Sequence, residues 1–153
     1  SMKVLYYDIV RKPVREEELK VKFKPLKELL RESDFIVVSC PLTEKTRGMI
    51  GEEELHLMKP TAILVNIARG PIVDHDALVK ALKNRWIAGA GLDVFDEEPL
   101  PQDDPLLDLE NVTLTPHIAS NTKECRRRMA LTAVEEILRV LHGKRPRYPV
   151  NNV

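Results

Sequence analysis

The chain has 153 residues, of which 43% are hydrophobic and 31% are charged. This composition is ordinary for a soluble globular protein, and the length suffices for one domain with a hydrophobic core. The 24 Lys and Arg residues balance the 24 Asp and Glu residues, so no net charge attracts nucleic acid or an anionic membrane surface.

The cysteines and histidines indicate no disulfide framework and no metal site. Cys40 and Cys125 are too few and too far apart, and the four histidines lack metal-ligand spacing. We therefore expect free thiols in a cytoplasmic protein. No apolar stretch approaches the ~20 residues that span a bilayer, and no secretory signal opens the chain.

Apolar, β-branched runs alternate with amphipathic segments along the chain. The runs predict five strands, at 3–8, 34–39, 61–66, 87–94 and 111–115. Helices are predicted at 25–32, at 52–58 and after Asp74, which is an N-cap residue. A last helix is predicted to start at Asn121, with Glu124 in a capping-box position, and to end before Gly143 as its C′ residue.

This alternation predicts an α/β fold with a parallel sheet flanked by helices on both faces. Ligands of such sheets bind beyond the carboxyl ends of the strands. Polar residues that directly follow predicted strands are therefore the candidates for a functional site.

Three such residues stand out: Arg69, Glu98 and His117. A guanidinium can fork onto the carboxylate and carbonyl oxygens of a 2-keto acid. An imidazolium can give a proton to the forming alkoxide, and a carboxylate can hold that imidazole charged. Each of the three alone is more often a structural or solvated residue, but the ordered set favours reduction of a 2-keto acid.

The chain resembles the NAD-dependent D-2-hydroxyacid dehydrogenases, which include glyoxylate/hydroxypyruvate reductases and D-3-phosphoglycerate dehydrogenase. The separations Arg69 to Glu98 (29 residues) and Glu98 to His117 (19 residues) fit the catalytic trio of that family. The likeness covers nearly the whole chain, in the stretches 3–8, 33–48, 57–82, 88–101, 111–120 and 149–153.

The resemblance implies a Rossmann-like domain, NAD as cofactor and a small 2-keto or 2-hydroxy acid as substrate. Arg69 would bind and polarise the substrate, and His117 would be the general acid in reduction and the base in oxidation. Glu98 would hydrogen-bond to His117 and favour the imidazolium. Which 2-hydroxy acid is used is not readable, and a homodimer is expected for the full-length parent.

The resemblance also implies a set of cofactor contacts. Asp8 would bond the adenosine ribose and repel a 2′-phosphate, so NAD is favoured over NADP, although the nearby Arg11 and Lys12 weaken that preference. Cys40 is expected to act as a small buried residue, and Asp93 either braces a turn or touches the cofactor. The implied cofactor contacts are Asp8, Cys40, Pro41, Thr46, Ile67, Ala68, Arg69, Asp93, His117, Ala119 and Ser120.

The sequence departs from the family at its start. Only seven residues precede Asp8, so strand 1 and the glycine-rich loop G-x-G-x-x-G are lacking. We therefore expect a partial dinucleotide-binding domain over 1–143 and a tail over 144–153 that would return to a missing substrate domain. In the strand order 3-2-1-4-5-6, strand 1 is central, so its absence would leave a gap in the sheet. The predicted strands near Lys3 and Phe35 would lie on one side of this gap, and the three later strands would lie on its other side.

Three resolutions of that gap stay open at this point. The absent part lies outside this sequence or on another chain, the sheet closes by new strand pairing, or partners exchange strands. The fragment alone is expected to be inactive or barely active. The alternative function is a non-catalytic module of the same fold, either dinucleotide-sensing, as in the C-terminal-binding-protein branch, or serving folding and assembly.

Overall fold

The computed structural model describes residues 2–151, which form two compact units divided between His117 and Ile118. Within residues 2–151, no helix is long and apolar enough to cross a membrane. The strands are β1 Leu5–Tyr6, β2 Lys22–Phe23, β3 Phe35–Val38, β4 Ile63–Asn66, β5 Gly89–Leu92 and β6 Val112–Leu114. The helices are α1 Pro13–Leu19, α2 Leu26–Glu32, α3 Glu52–Leu57, α4 His75–Lys83 and α5 Lys123–Leu141.

A four-stranded parallel sheet in the order β3-β4-β5-β6 forms the centre of the first unit. Ile36, Leu64 and Ala90 are paired in register and are all buried. They share one hydrophobic core with helix residues such as Leu55 and Leu78. The prediction of a parallel α/β sheet flanked by helices is confirmed.

The opposite face of β3 is not covered in the same way. Phe35 and Val37 are 62% and 56% exposed, because strand side chains alternate between the two faces and only one face packs on the core. The sequence predicts helices over both faces of the sheet, but at β3 only one face is covered.

A second, two-stranded parallel sheet pairs β1 with β2. Neither β2 nor helix α1 was predicted from the sequence. The two-residue strand is too short for a period, and α1 has no buried residue and hence no apolar stripe. The helix instead begins with Pro13 in its first turn, a position where the missing N–H costs nothing.

Because β2 was not predicted, the position predicted for the gap left by the absent strand 1 is wrong. β3 pairs with β4, so the strand at Phe35 belongs with the later strands and not with β1. Within the described residues no ladder joins the two sheets, so the sheet is not closed by new pairing. The other two resolutions stay predictions.

Most helix boundaries follow the sequence signals. Asp74 caps α4 by accepting the N–H of Ala77 at 2.8 Å, as predicted. Helix α5 is capped by Thr122, whose hydroxyl accepts the N–H of Cys125, so the predicted cap at Asn121 is wrong by one residue. Gly143 has φ +71° and follows the helix as the predicted C′ residue.

An ion pair fixes the connection between β1 and α1. The Arg11 guanidinium forks onto Glu16, with Nε to Oε1 at 2.7 Å and Nη2 to Oε2 at 3.0 Å. The Tyr6 hydroxyl donates to the same Oε1 at 2.9 Å. The hydrogen bond from Arg11 is the largest of the effects that lower the pKa of Glu16 from 4.5 to about 2.

This depressed pKa predicts an acid-sensitive β1–α1 segment. Because the folded pKa lies below the unfolded one, the pair contributes stability above pH 4.5 and loses it as the pH falls toward about 2. Carboxyl ¹³C NMR titration should place the Glu16 pKa near 2, and amide exchange in β1 and α1 should accelerate over the same range.

The variant Glu16→Gln should remove this pH dependence. Glu18→Gln, which breaks the neighbouring Arg15–Glu18 pair on the same helix, should leave it in place. A Glu16 titration near 4.5 in the wild type would contradict the assignment.

Candidate active site

The loop after β4 is held by a buried asparagine. Asn66 is 1% exposed, and its side chain accepts the N–H of Ala68 at 3.1 Å and donates to the carbonyl of Arg69 at 2.9 Å. The Arg69 guanidinium donates through Nη1 to the Ala68 carbonyl at 2.6 Å. The backbone on both sides of the arginine is therefore fixed at the carboxyl end of β4.

Gly70 allows this loop to lie against the segment that follows β5. A Cβ atom at Gly70 would overlap the backbone of Phe95 and the amide nitrogen of Asp96. Only a glycine permits this approach, because the obstacle is backbone and cannot swing away.

The same segment presents Glu98 to His117. The N–H of Phe95 donates to Glu98 Oε1 at 3.0 Å, and Oε2 lies 2.8 Å from His117 Nδ1. The hydrogen bond to His117 is the main cause that holds the pKa of Glu98 below its ordinary value of 4.5, followed by the Phe95 N–H. The charge of Arg69 lowers it further, so the three predicted catalytic residues share one electrostatic environment.

His117 has a left-handed backbone with φ +53°. Its N–H donates to the carbonyls of Asp93 at 2.9 Å and Thr115 at 3.0 Å. A non-glycine residue in this region costs on the order of 1–3 kcal/mol and persists only where its surroundings enforce it. Here the ends of β5 and β6 enforce it.

Asp93 supplies part of that enforcement. The residue is 4% exposed, and its carboxylate accepts a hydrogen bond from the Thr115 hydroxyl at 2.5 Å. These bonds support the interpretation that Asp93 braces the turn. A contact between Asp93 and a cofactor stays a prediction.

A cavity of about 570 Å³ lies beside Arg69 at the ends of β3 and β4. This volume is within the usual range of small-molecule sites. Burial raises the pKa of the Cys40 thiol, and the charge of Asp8 raises it further, so Asp8 lies within electrostatic reach of this edge. The cavity is lined by Ser39, Cys40, Pro41, Leu42, Ile67, Ala68 and Arg69.

Not every predicted cofactor contact reaches this cavity. The Thr46 hydroxyl donates to the Pro41 carbonyl at 2.7 Å and accepts the N–H of Thr43, so it braces its own loop and does not line the cavity. Ala119 and Ser120 belong to the second unit, and their contacts with a cofactor stay predictions. Within residues 2–151, no group of three or more potential ligands is placed to hold a metal ion.

Three positioning residues were not singled out from the sequence: Asn66, Gly70 and Thr115. A polar residue that ends an apolar strand was the available signal for Asn66. The role of Thr115 depends on Asp93, 22 positions earlier, and nothing in the local sequence shows that pairing.

The close approach at Gly70 predicts that Gly70→Ala disturbs both stability and the Glu98 carboxyl. Forcing the Phe95 backbone away should cost about 1–3 kcal/mol in the free energy of unfolding. It should also weaken the Phe95 N–H bond, so the pKa of Glu98 should rise toward 4.5. Denaturant unfolding and carboxyl ¹³C NMR titration measure the two effects.

Gly91→Ala is the matched control, since its Cβ would meet only a Val65 methyl group at 3.8 Å, an ordinary contact. If both variants behave alike, the close approach at Gly70 does not position Glu98.

Comparison with known proteins identifies the family. The model of the D-isomer specific 2-hydroxyacid dehydrogenase NAD-binding domain matches residues 1–119. The chain is 56% identical over 151 residues to a glyoxylate reductase of Korarchaeum cryptofilum and 57% identical over 151 residues to one of Thermococcus gammatolerans. It covers 99% of itself in both matches but 46% and 45% of those proteins, so it spans less than half of their length.

Solved structures agree. The holo form of Rhodotorula graminis D-mandelate dehydrogenase matches with a TM-score of 0.90 at 36% identity, over 99% of this chain and 45% of that one. D-lactate dehydrogenase with NAD+ from Lactobacillus jensenii matches with a TM-score of 0.87 at 34% identity, over 98% of this chain and 48% of that one. The resemblance seen in the sequence is confirmed: the chain belongs to the D-isomer specific 2-hydroxyacid dehydrogenases and carries the Rossmann-like NAD-binding domain of that family.

Proposed function

We propose that the protein containing this domain is an NAD-dependent oxidoreductase that reduces a small 2-keto acid to a D-2-hydroxy acid. Glyoxylate is the first substrate to test, because the curated relatives described above are glyoxylate reductases. The observation that carries the proposal is the Glu98–His117 hydrogen bond of 2.8 Å, with the charge of Arg69 acting on the same carboxylate.

The three side chains divide the work of the reaction. Arg69 binds the substrate carboxylate and polarises the keto oxygen. His117 donates the proton to that oxygen as the negative charge develops, and Glu98 orients the imidazole through Nδ1. In the reverse direction, His117 accepts the same proton.

The described residues fit a dinucleotide. The cavity at the ends of β3 and β4 has the right size, and its lining combines apolar residues such as Ile67 and Ala68 with the polar Ser39 and Arg69. Asp8 receives the adenosine ribose, and the bound nicotinamide supplies the hydride for the keto carbon. The predicted contacts of Thr46, Asp93, Ala119 and Ser120 with NAD belong to this proposal.

The same proposal includes a homodimeric, cytoplasmic protein. Cys40 and Cys125 are free thiols, the state that a reducing compartment maintains. Light scattering measures the molar mass of the protein in solution, and this measurement on the longest form that the gene encodes tests whether it is a dimer.

The His117 role predicts a large kinetic loss in the longest form of the protein. His117→Asn removes the proton donor and should lower kcat with glyoxylate by about 10²–10⁴-fold. NADH oxidation followed at 340 nm measures it.

His56→Asn is the matched control. His56 lies on helix α3, stacked on Trp86, and takes no part in the proposed chemistry. It should keep wild-type kcat. Retention of near-wild-type kcat by His117→Asn would refute the assignment.

The 153-residue chain alone should show little or no turnover of NADH with glyoxylate or hydroxypyruvate. It contains no G-x-G-x-x-G sequence, the element that cradles a pyrophosphate on this fold. The assay is the same, with the longest form of the protein as the positive control. Robust turnover by the chain would contradict this expectation.

A further inference from the structure

The loop between β1 and α1 contains two cations close to the proposed ribose acid. Arg11 and Lys12 follow Asp8 by three and four residues. A guanidinium beside the ribose can hold a 2′-phosphate with paired hydrogen bonds, whereas the Asp8 carboxylate repels it. The sequence alone therefore gives contradictory signals about the choice between NAD and NADP.

The structure shows that one edge of the Arg11 guanidinium, formed by Nε and Nη2, is already engaged. Its Nε and Nη2 both donate to Glu16, at 2.7 and 3.0 Å, in the forked geometry that a phosphate would otherwise receive. Its Cζ also lies 5.6 Å from the centroid of the Phe23 ring.

Glu16 is the anchored member of this pair. Its side chain is 13% exposed, against 59% for Arg11. The Tyr6 hydroxyl donates to Glu16 at 2.9 Å and accepts the N–H of Lys12 at 3.0 Å, so the carboxylate is tied to both the strand and the loop. With its pKa lowered to about 2, Glu16 stays charged throughout the physiological range.

We propose that Glu16 determines cofactor specificity by holding the Arg11 guanidinium and thereby denying it to a 2′-phosphate. This inference rests on the proposed function, since it takes the adenosine ribose to lie at Asp8. Lys12 remains as a second cation, but an ammonium is a point charge and lacks the planar fork that matches a phosphate. Glu16 lies eight residues beyond Asp8 and acts through Arg11, so it is a positioning residue.

The test compares two adenosine nucleotides on the longest form of the protein. Isothermal titration calorimetry gives the Kd of 5′-AMP and of adenosine 2′,5′-bisphosphate, and the ratio of the two Kd values measures discrimination. Glu16→Gln should release Arg11 and shift this ratio toward the bisphosphate by about tenfold, the value of one charge-assisted hydrogen bond. Glu18→Gln, which frees Arg15 on the same helix, should leave the ratio unchanged.

Arg11 variants keep the test decisive if Glu16→Gln fails to fold. Arg11→Gln should leave the wild-type ratio unchanged within about threefold, because Glu16 already occupies the Nε–Nη2 edge and pairs the charge of the guanidinium. A larger loss of bisphosphate affinity in Arg11→Gln would overturn the inference. The double variant Glu16→Gln/Arg11→Gln should lose the tenfold gain.

The outcomes separate this inference from the proposed function. If 5′-AMP binds all variants but Glu16→Gln gains nothing for the bisphosphate, the role of Glu16 is refuted and the ribose site at Asp8 stands. If neither nucleotide binds to any of the proteins, including Asp8→Asn, the adenosine site at Asp8 is refuted. The role of Glu16 is then refuted with it.

Discussion

The parallel register of β4, β5 and β6 is the constraint on which the candidate site depends. Asn66 pairs with Leu92, and Leu92 pairs with Leu114, so the three strands end level with one another. Arg69 and His117 each follow the end of their strand by three residues, and the segment that carries Glu98 leaves from the strand between them. A slip of one residue in any ladder would turn its core side chains toward the other face and carry the catalytic loop with them.

The site holds two buried polar side chains at this edge, and both are satisfied. A buried amide or carboxylate without partners costs on the order of 1–3 kcal/mol or more. Asn66 avoids that cost by bonding the backbone around Arg69, and Asp93 does so by bonding Thr115. The backbone carbonyl of Asp93 also accepts the N–H of His117 at 2.9 Å, so this buried residue helps to fix the left-handed backbone of the histidine.

Sequence reasoning succeeded where the signal was long or ordered. The runs at β3 to β6 have enough apolar residues to predict a strand, and α4 shows both a cap and a buried stripe. Strand β2 lacks such an apolar run, and helix α1 lacks a buried stripe. Because β2 was not predicted, β3 was assigned to the wrong side of the gap. A two-residue strand is defined by its partner across space, and no window along the chain can show that partner.

The same distinction applies inside the site. The spacing of Arg69, Glu98 and His117 is visible along the chain, and the structure brings Glu98 and His117 into contact. The close approach at Gly70 is not visible, because it depends on the backbone of Phe95, 25 residues later. Linear spacing therefore identified the candidate catalytic residues, whereas the residues that position them are specified by tertiary contacts.

Two carboxylates in this chain, Glu98 and Glu16, each pair with a basic side chain, and the two pairs differ in their exposure and in the atoms that they occupy. Glu98 and His117 are 37% and 47% exposed at the edge of the sheet, so the imidazole remains accessible from solvent. Glu16 is 13% exposed and is held by Tyr6, and it accepts both donors on the Nε–Nη2 edge of Arg11. A carboxylate that bonds one ring nitrogen leaves the rest of an imidazole accessible, whereas one that bonds both Nε and Nη2 of an arginine occupies a fork that a phosphate could use.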